Sequence, residues 1–471
     1  MFIATATAAL EYGAMPYAKG VIDNFLNFYV RPDGMIWYRA VEIPATARML
    51  SILAQYHSYS ADHDLLLKYF TKAQAVASLL IERRAKSLEY KKTDARHGIP
   101  SGGDECRDGE SISVMNHDEL PLHWYASAAE MYRSFTDLGA VWVAIGGHAK
   151  RTDIVKHGKE LLQMAPLLYS DLHISLNRTV GTSAGDRCWQ LTAEPGVKQR
   201  SFRGFAEMFH SGALSSTQVA DIYNSASGVA ACGQARFLTM GSPSLGDGKA
   251  SLSSPSAYGL GFGLLQHDMV ERFLLHYFTM SAHAYTRGTF TTPESSNLAD
   301  RDEPTVAYTA AAVTIVPIYL KWMLCFEEPQ TRTLWLAKAT PRDWLEVGEA
   351  PIAASGLTTR YGRVSFSLQA STNAIQAIGK LRGVYAVHAN VSLPSTFGDG
   401  TGVVPDGGIR LRVRAPLDVG KMSKVSIGGV AWKSFDAKEE TIDVARDQLI
   451  QPGAAIRLQS IIAVFRDTPR A

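Results

Sequence analysis

The chain has 471 residues, of which 46% are hydrophobic and 20% charged, and its formal net charge is +2 at pH 7. This balance is typical of a folded protein with a sizeable core and excludes a chain that is disordered throughout. Because the net charge is small and no run of Lys or Arg occurs, we exclude nucleic acid as a partner.

The chain up to about residue 326 has the apolar periodicity of helices. It opens with an Ala/Thr-rich helical segment, and the turn sequence Arg31-Pro32-Asp33-Gly34 ends the next helix. Ser60-Ala61-Asp62 provides the next cap. The remaining helices are predicted near residues 66–84, 118–138, 152–169, 202–210, 216–237, 258–266, 267–283 and 305–326. We count about ten helices, whose connections alternate between short and long, as in stacked helical hairpins.

The most apolar stretch, residues 306–326, is long enough to approach the thickness of a bilayer. It contains Pro317 and Lys321, however, so we predict a buried helix and no membrane partner.

From about residue 330 the periodicity changes from 3.6 to two. Val364, Phe366 and Leu368 alternate with polar residues, as do the apolar residues of the segment 409–414. A helical block followed by a block of strands predicts two separate domains, a helical one at 1–330 and an antiparallel β-sandwich at 331–471.

The four cysteines, at positions 106, 188, 232 and 325, are too scattered for a metal knuckle or a dense disulfide framework. They are predicted to be buried thiols, with room for one bridge. No basic leader with an apolar core precedes the first helix. Two N-x-S/T triplets, at Asn177 and Asn390, would suit an extracellular protein, so localisation stays open with the extracellular side favoured.

Three short sequence segments resemble those of a known family. They are TLWLAKATPRDWL at 333–345, YGRVSFSL at 361–368 and RPDGMIWYR at 31–39. With the helical block and the strands that follow it, they resemble the six-hairpin glycosidase superfamily. The resemblance implies an (α/α)6-type toroid followed by a small β-sandwich, and a carbohydrate substrate. A complete toroid of this type has twelve helices. Because we count about ten, we predict that one hairpin is missing or degenerate.

Two acid-rich loops are the candidate catalytic segments. Glycoside hydrolysis needs two carboxyl groups roughly 5–9.5 Å apart, one as acid and one as base or nucleophile. Asp104 and Glu105 follow a Gly-Gly pair in the first loop, and Glu294 lies among small polar residues in the second. We predict these three as catalytic, against the alternative that they are ordinary solvated loop charges. The resemblance implies inversion.

Substrate-binding residues are predicted around the same loops: Trp37, Tyr38, Arg39, His117, Asp118 and Trp189. Aromatic faces and polar groups together suit a sugar. The 13 histidines show no metal-ligand spacing, and no nucleotide-binding or nucleophile-elbow motif occurs, so we predict neither a metal nor a cofactor.

Two other functions stay open. A polysaccharide lyase would cleave uronic-acid glycans with a Tyr or His base beside a cation, for which His97, His117, Tyr125 and Arg107 are candidates. A relative with an incomplete toroid would bind carbohydrate without turnover. The sequence determines neither the sugar nor the oligomeric state.

Overall fold

The computed structural model describes residues 2–36, 42–102, 122–183, 186–194, 203–227, 251–285, 288–297, 308–374, 381–399, 402–450, 458 and 460–466. The chain divides into two compact units, Met1–Leu10 with Ala14–Ile318 and Glu11–Gly13 with Tyr319–Ala471. The assignment of separate functions to residues 1–330 and 331–471 stays a prediction.

Twelve helices precede the large sheets in the described residues. They are α1 (Phe2–Glu11), α2 (Met15–Phe28), α3 (Ile43–Ser60), α4 (His63–Ser87), α5 (Tyr125–His148), α6 (Thr152–Thr179), α7 (Arg203–Ser211), α8 (Ser216–Ser227), α9 (Ser254–Gln266), α10 (Val270–His283), α11 (Ala310–Val313) and α12 (Ile315–Leu324). Two small ribbons lie between them, β1 (Gly181–Ser183) with β2 (Asp186–Cys188), and β3 (Ser251–Ser253) with β4 (Ser295–Asn297).

These helices form five consecutive pairs joined by short links, from α1–α2 to α9–α10, followed by α11 and α12 on either side of Thr314. The fold is thus the helical toroid type that the sequence predicts, with a broken helix in place of a sixth hairpin. The predicted number of about ten is corrected to twelve in the described residues, and one of the added helices arises because α11 and α12 replace one continuous helix over 305–326. The end of that segment, from Cys325, is a strand.

Successive odd-numbered helices pack on one another, α3 on α5, α5 on α7, α7 on α9 and α9 on α11. We call α3, α5, α7, α9 and α11 the inner helices. Gly259 and Gly263 allow α9 to approach α7, since a Cβ at Gly263 would collide with the side chain of Phe209 and lie 2.9 Å from its carbonyl oxygen. The even-numbered helices, which we call the outer helices, pair with the inner ones, as α4 does with α3 and α6 with α5.

Local sequence determines some helix ends. The predicted cap at Asp62 is confirmed, because its carboxylate accepts a hydrogen bond from the Leu65 amide at 3.1 Å. The predicted helix start at Asp118 is not observed in the described residues: α5 begins at Tyr125, and Leu122 and Trp124 form β-bridges instead. No helix in the described residues is long and apolar enough to cross a membrane.

The second unit contains two sheets. The strands are β5 (Cys325–Glu328), β6 (Thr333–Leu336), β7 (Ile352–Thr359), β8 (Gly362–Ala374), β9 (Leu381–Ser392), β10 (Ile409–Arg412), β11 (Lys421–Ile427), β12 (Val430–Trp432), β13 (Phe435–Asp436), β14 (Thr441–Val444) and β15 (Ile461–Arg466), with short helices α13 (Thr396–Asp399) and α14 (Arg446–Leu449). The strand orders are β13-β14-β10-β6-β5 and β12-β11-β15-β9-β8-β7.

The two sheets share one hydrophobic core, to which β6 and β10 of one sheet and β8, β9 and β15 of the other contribute. The predicted alternation is confirmed in β8, where Val364, Phe366 and Leu368 are buried. One pair departs from antiparallel order: β6 and β10 are parallel. Of the cysteines in the described residues, Cys188 is disulfide-bonded and Cys325 is a buried free thiol.

Candidate functional site

The long connections of the helical unit all lead into the same ends of the inner helices. Residues 61–62, 149–151, 212–215 and 267–269 are the short links that leave the C-terminal ends of inner helices. Residues 29–42, 88–124, 180–202, 228–253 and 284–309 precede the N-terminal ends. We call the set of these N-terminal ends, with the described residues beside them, the rim. Loops carried on a rigid helical scaffold are where binding and catalytic groups concentrate.

The start of α5 is held by residues from two long connections. The Gly102 amide donates to the Leu122 carbonyl at 3.0 Å. On the other side, the Tyr125 amide donates to Leu191 at 2.9 Å, and the Ala193 amide donates to His123 at 3.0 Å. The connection between α4 and α5 and the one between α6 and α7 therefore meet at the rim.

A carboxylate–histidine pair lies at this junction. Glu194 Oε1 is 2.6 Å from Nδ1 of His123, and the His123 amide donates to both carboxylate oxygens at 3.0 and 3.2 Å. The His123 ring packs edge-on against Tyr90, over which the Arg96 guanidinium lies at 4.2 Å. His123 is buried, and 16% of the Glu194 side chain is exposed.

Sequence reasoning missed Glu194. Its partner is 71 residues away, so no local pattern links the two. The only local indication in the sequence is that Glu194 precedes Pro195 in a polar segment, much as Glu294 follows Pro293.

Glu294 lies at the rim between two inner helices. The strand β4 begins at the next residue and pairs with β3, where Ser253 is opposite Ser295 and α9 starts at Ser254. On the other side, the Thr309 amide donates to the Thr292 carbonyl at 3.0 Å, immediately before α11. Glu294 is partly exposed.

The predicted aromatic platform Trp189 is only 2% exposed. Trp189 follows β2 and precedes Thr192, which forms a β-bridge with Trp124 at the start of α5. Its assignment as a substrate-binding residue stays a prediction, and any contact with substrate would need its buried ring to become accessible.

Seven of the predicted site residues lie outside the described part of the chain. They are Trp37, Tyr38, Arg39, Asp104, Glu105, His117 and Asp118. The structure does describe both ends of the segment that carries the last four, Gly102 and Leu122, and pairs them at the rim.

Two residues considered for lyase chemistry have structural partners. Tyr125 is fully buried, its hydroxyl lies 2.6 Å from Thr179 Oγ1, and burial raises its pKa to about 12. Nδ1 of His97 is 2.8 Å from the Tyr90 carbonyl. Tyr125 is therefore poorly placed to act as a base, whereas the contact of His97 engages only one ring nitrogen, so His97 stays a candidate. In the part of the chain that the structure covers, no cluster of three or more His, Cys, Asp or Glu is arranged to hold a metal ion.

No protein-family model matches the chain, and no curated protein is significantly similar to it in sequence. Solved structures align with the chain, at low sequence identity and with TM-scores below 0.5. The α-L-rhamnosidase from Dictyoglumus thermophilum aligns over 98% of this chain and 45% of its own, with a TM-score of 0.48 and 13% identity.

The GH63 mannosylglycerate hydrolase from Thermus thermophilus aligns over 68% of this chain and 92% of its own, with a TM-score of 0.43 and 11% identity. A GH78 family rhamnosidase of Bacillus sp. GL1 aligns over 83% and 36%, with a TM-score of 0.43 and 10% identity. The chain spans less than half the length of these two rhamnosidases. All three are glycoside hydrolases.

Proposed function

We propose that the chain hydrolyses glycosidic bonds of an oligo- or polysaccharide at the rim, with Glu294 as one carboxyl group and Asp104 or Glu105 as the other. The observation that carries this proposal is the position of Glu294. It is partly exposed at the starts of α9 and α11, on the same rim where Gly102 and Leu122 flank the segment that carries Asp104 and Glu105.

The rim suits this chemistry for two physical reasons. Helix N-termini carry partial positive charge, so those at the rim stabilise the ionised carboxylate that acts as base or nucleophile. The two carboxyl groups would come from different connections, so their separation is determined by the ring of helices and not by local sequence. A separation of about 6.5–9.5 Å gives inversion and about 5–5.5 Å gives retention.

Glu194 has a different role in this proposal. Its carboxylate already accepts hydrogen bonds from the His123 amide and lies 2.6 Å from the imidazole. These contacts engage both carboxylate oxygens with the backbone and ring of one neighbouring residue. We therefore assign Glu194 to holding residues 189–194 against the start of α5, which positions the rim without proton transfer.

The experiment compares amide variants on a panel of p-nitrophenyl glycosides, rhamnosides among them, and on polysaccharides with detection of reducing ends. Glu294→Gln and either Glu105→Gln or Asp104→Asn should lower kcat by at least about 100-fold. Glu160→Gln, an exposed carboxylate on the outer helix α6, is the matched control and should leave kcat unchanged.

Two results would contradict the proposal. Full activity in all three amide variants would remove the catalytic assignment. A product that absorbs in the ultraviolet, from the double bond that β-elimination leaves on the uronic acid, would indicate a lyase.

A further inference from the structure

Below the rim, four inner helices bring polar and aromatic side chains together. Arg48 of α3, Glu130 of α5, His210 of α7 and Tyr258 of α9 form what we call the axial cluster. At about 1.5 Å of rise per residue, they lie roughly 6–11 Å from the N-terminal ends of their helices. Four separate helices therefore supply side chains to one depth beneath the rim.

The members of the axial cluster are in direct contact. Glu130 Oε1 lies 3.1 Å from Nδ1 of His210 and 3.9 Å from Nε of Arg48. The Arg48 guanidinium lies 4.0 Å from the centre of the Tyr258 ring, a cation–π geometry. Tyr258 and Phe262 flank the His210 ring at 5.3 and 4.9 Å.

The Glu130–His210 contact orients the imidazole. An ionised carboxylate only accepts hydrogen bonds, so Nδ1 of His210 carries the proton that it donates. Burial lowers the pKa of His210 to about 4, and the Glu130 charge opposes this only in part. The neutral ring at pH 7 therefore has Nε2 as an acceptor. About 13% of the His210 side chain is exposed, whereas the Glu130 side chain is fully buried.

One observation points to a ligand. Glu130 Oε2 is buried and makes no hydrogen bond within the described residues. Ser127 is fully buried one turn earlier on the same face of α5, and its hydroxyl likewise bonds to none of the described groups. Buried polar atoms are nearly always hydrogen-bonded, and an unmet one costs about 1–3 kcal/mol.

We propose that the axial cluster is the inner wall of the substrate site, where a hydroxyl-bearing sugar ring binds with hydrogen bonds to Glu130 Oε2 and His210 Nε2. This inference rests on the proposed function, since the substrate is a glycoside entering from the rim. Tyr258 and Phe262 offer aromatic faces to the apolar side of the ring, and Glu130 and His210 take its hydroxyls. Such a mixture of aromatic surface and few polar groups is characteristic of small-molecule sites.

The test measures sugar binding separately from catalysis. The probe is the monosaccharide that the wild-type protein releases or, where no glycoside is cleaved, each member of a panel of free monosaccharides, titrated by calorimetry. His210→Phe keeps an aromatic ring between Tyr258 and Phe262 but removes the acceptor. Its affinity should fall about tenfold, equivalent to 1.4 kcal/mol. His276→Phe is the matched control, since His276 is also buried but on the outer helix α10.

Glu294→Gln separates this inference from the proposed function. It should lose turnover and keep sugar binding. If Glu294→Gln stays active while His210→Phe loses binding, the catalytic assignment fails and the inner wall stands.

A second measurement covers the case in which His210→Phe does not fold. Addition of the sugar to wild-type protein labelled with nitrogen-15 histidine should shift the Nε2 resonance of His210 and leave that of His276 in place. Ser127→Ala, which removes only a hydroxyl, should fold and bind more weakly. Wild-type affinity in a folded His210→Phe protein, an unshifted His210 resonance at saturation, or failure of every monosaccharide to bind the wild type overturns the proposal.

Discussion

Replacing Glu11 by glutamine should strongly destabilise the second unit, because it leaves a buried lysine without its counter-charge. Lys321 Nζ lies 2.9 Å from Glu11 Oε2, and the Trp322 indole donates to Glu11 Oε1 at 3.0 Å. Only 2% and 7% of the Lys321 and Glu11 side chains are exposed. Removing one member of such a pair costs about 3–5 kcal/mol, a large part of a typical stability of roughly 5–15 kcal/mol.

Urea unfolding of the full chain, followed by circular dichroism, measures the effect. The double variant Glu11→Gln with Lys321→Met should recover most of the loss, because no unpaired charge then remains buried. Lys86→Met is the matched control. It breaks an exposed pair with Glu82, whose side chains are 58% and 59% exposed, and should cost less than about 0.5 kcal/mol. A loss below about 1 kcal/mol for Glu11→Gln would refute the reasoning.

Two further predictions concern the helical unit. Gly263→Ala should lower stability by about 1–3 kcal/mol, since its Cβ would collide with Phe209. Gly147→Ala, with open space around it, should raise stability by about 0.5–1 kcal/mol. Thermal unfolding measures both variants, and equal effects would contradict the close packing of α9 on α7. Burial lowers the pKa of His276 to about 4, so the unfolded chain takes up this proton first as the pH falls. Stability should therefore decrease between about pH 6.5 and 4, by roughly 3 kcal/mol for this group. His276→Phe should show a smaller decrease over that range than the exposed control His148→Gln, and identical pH profiles would contradict the account.

The sequence predicts what local patterns determine. The cap at Asp62 and the alternation in β8 need only neighbours along the chain, and both are found. The start of α5 could not be placed, because Leu122 pairs with the distant Gly102 of the same connection and Trp124 pairs with Thr192 of another connection. The parallel pairing of β6 with β10 likewise joins segments more than 70 residues apart.

The residues of the axial cluster could not be predicted as a group from the sequence. Arg48 and Glu130 are single charged residues within apolar helical stripes, and each has its partner on another helix. A buried charge in such a stripe is the sequence feature that could have singled them out. Carboxylates beside glycines are typical of catalytic loops, and this pattern is why the sequence favours Asp104 and Glu105. Their catalytic role stays a prediction.

Arg412 and Arg414 illustrate the same limit in the second unit. Their alternation with apolar residues predicts a solvent-facing side of the strand segment, but both are only 4% exposed. The Arg414 guanidinium donates to the Thr340 carbonyl at 3.0 Å, and Arg412 Nε donates to the Glu439 carbonyl at 3.1 Å. Distant backbone carbonyls accept their hydrogen bonds, so burial costs less than sequence alone would indicate.

The most direct test of the central claim is the kcat/KM of Glu294→Gln relative to wild type on one cleaved glycoside at one pH. If Glu294 transfers a proton or activates water at the rim, the ratio should fall by about 100-fold or more, with unchanged thermal stability. A folded Glu294→Gln protein with the wild-type kcat/KM would contradict the account.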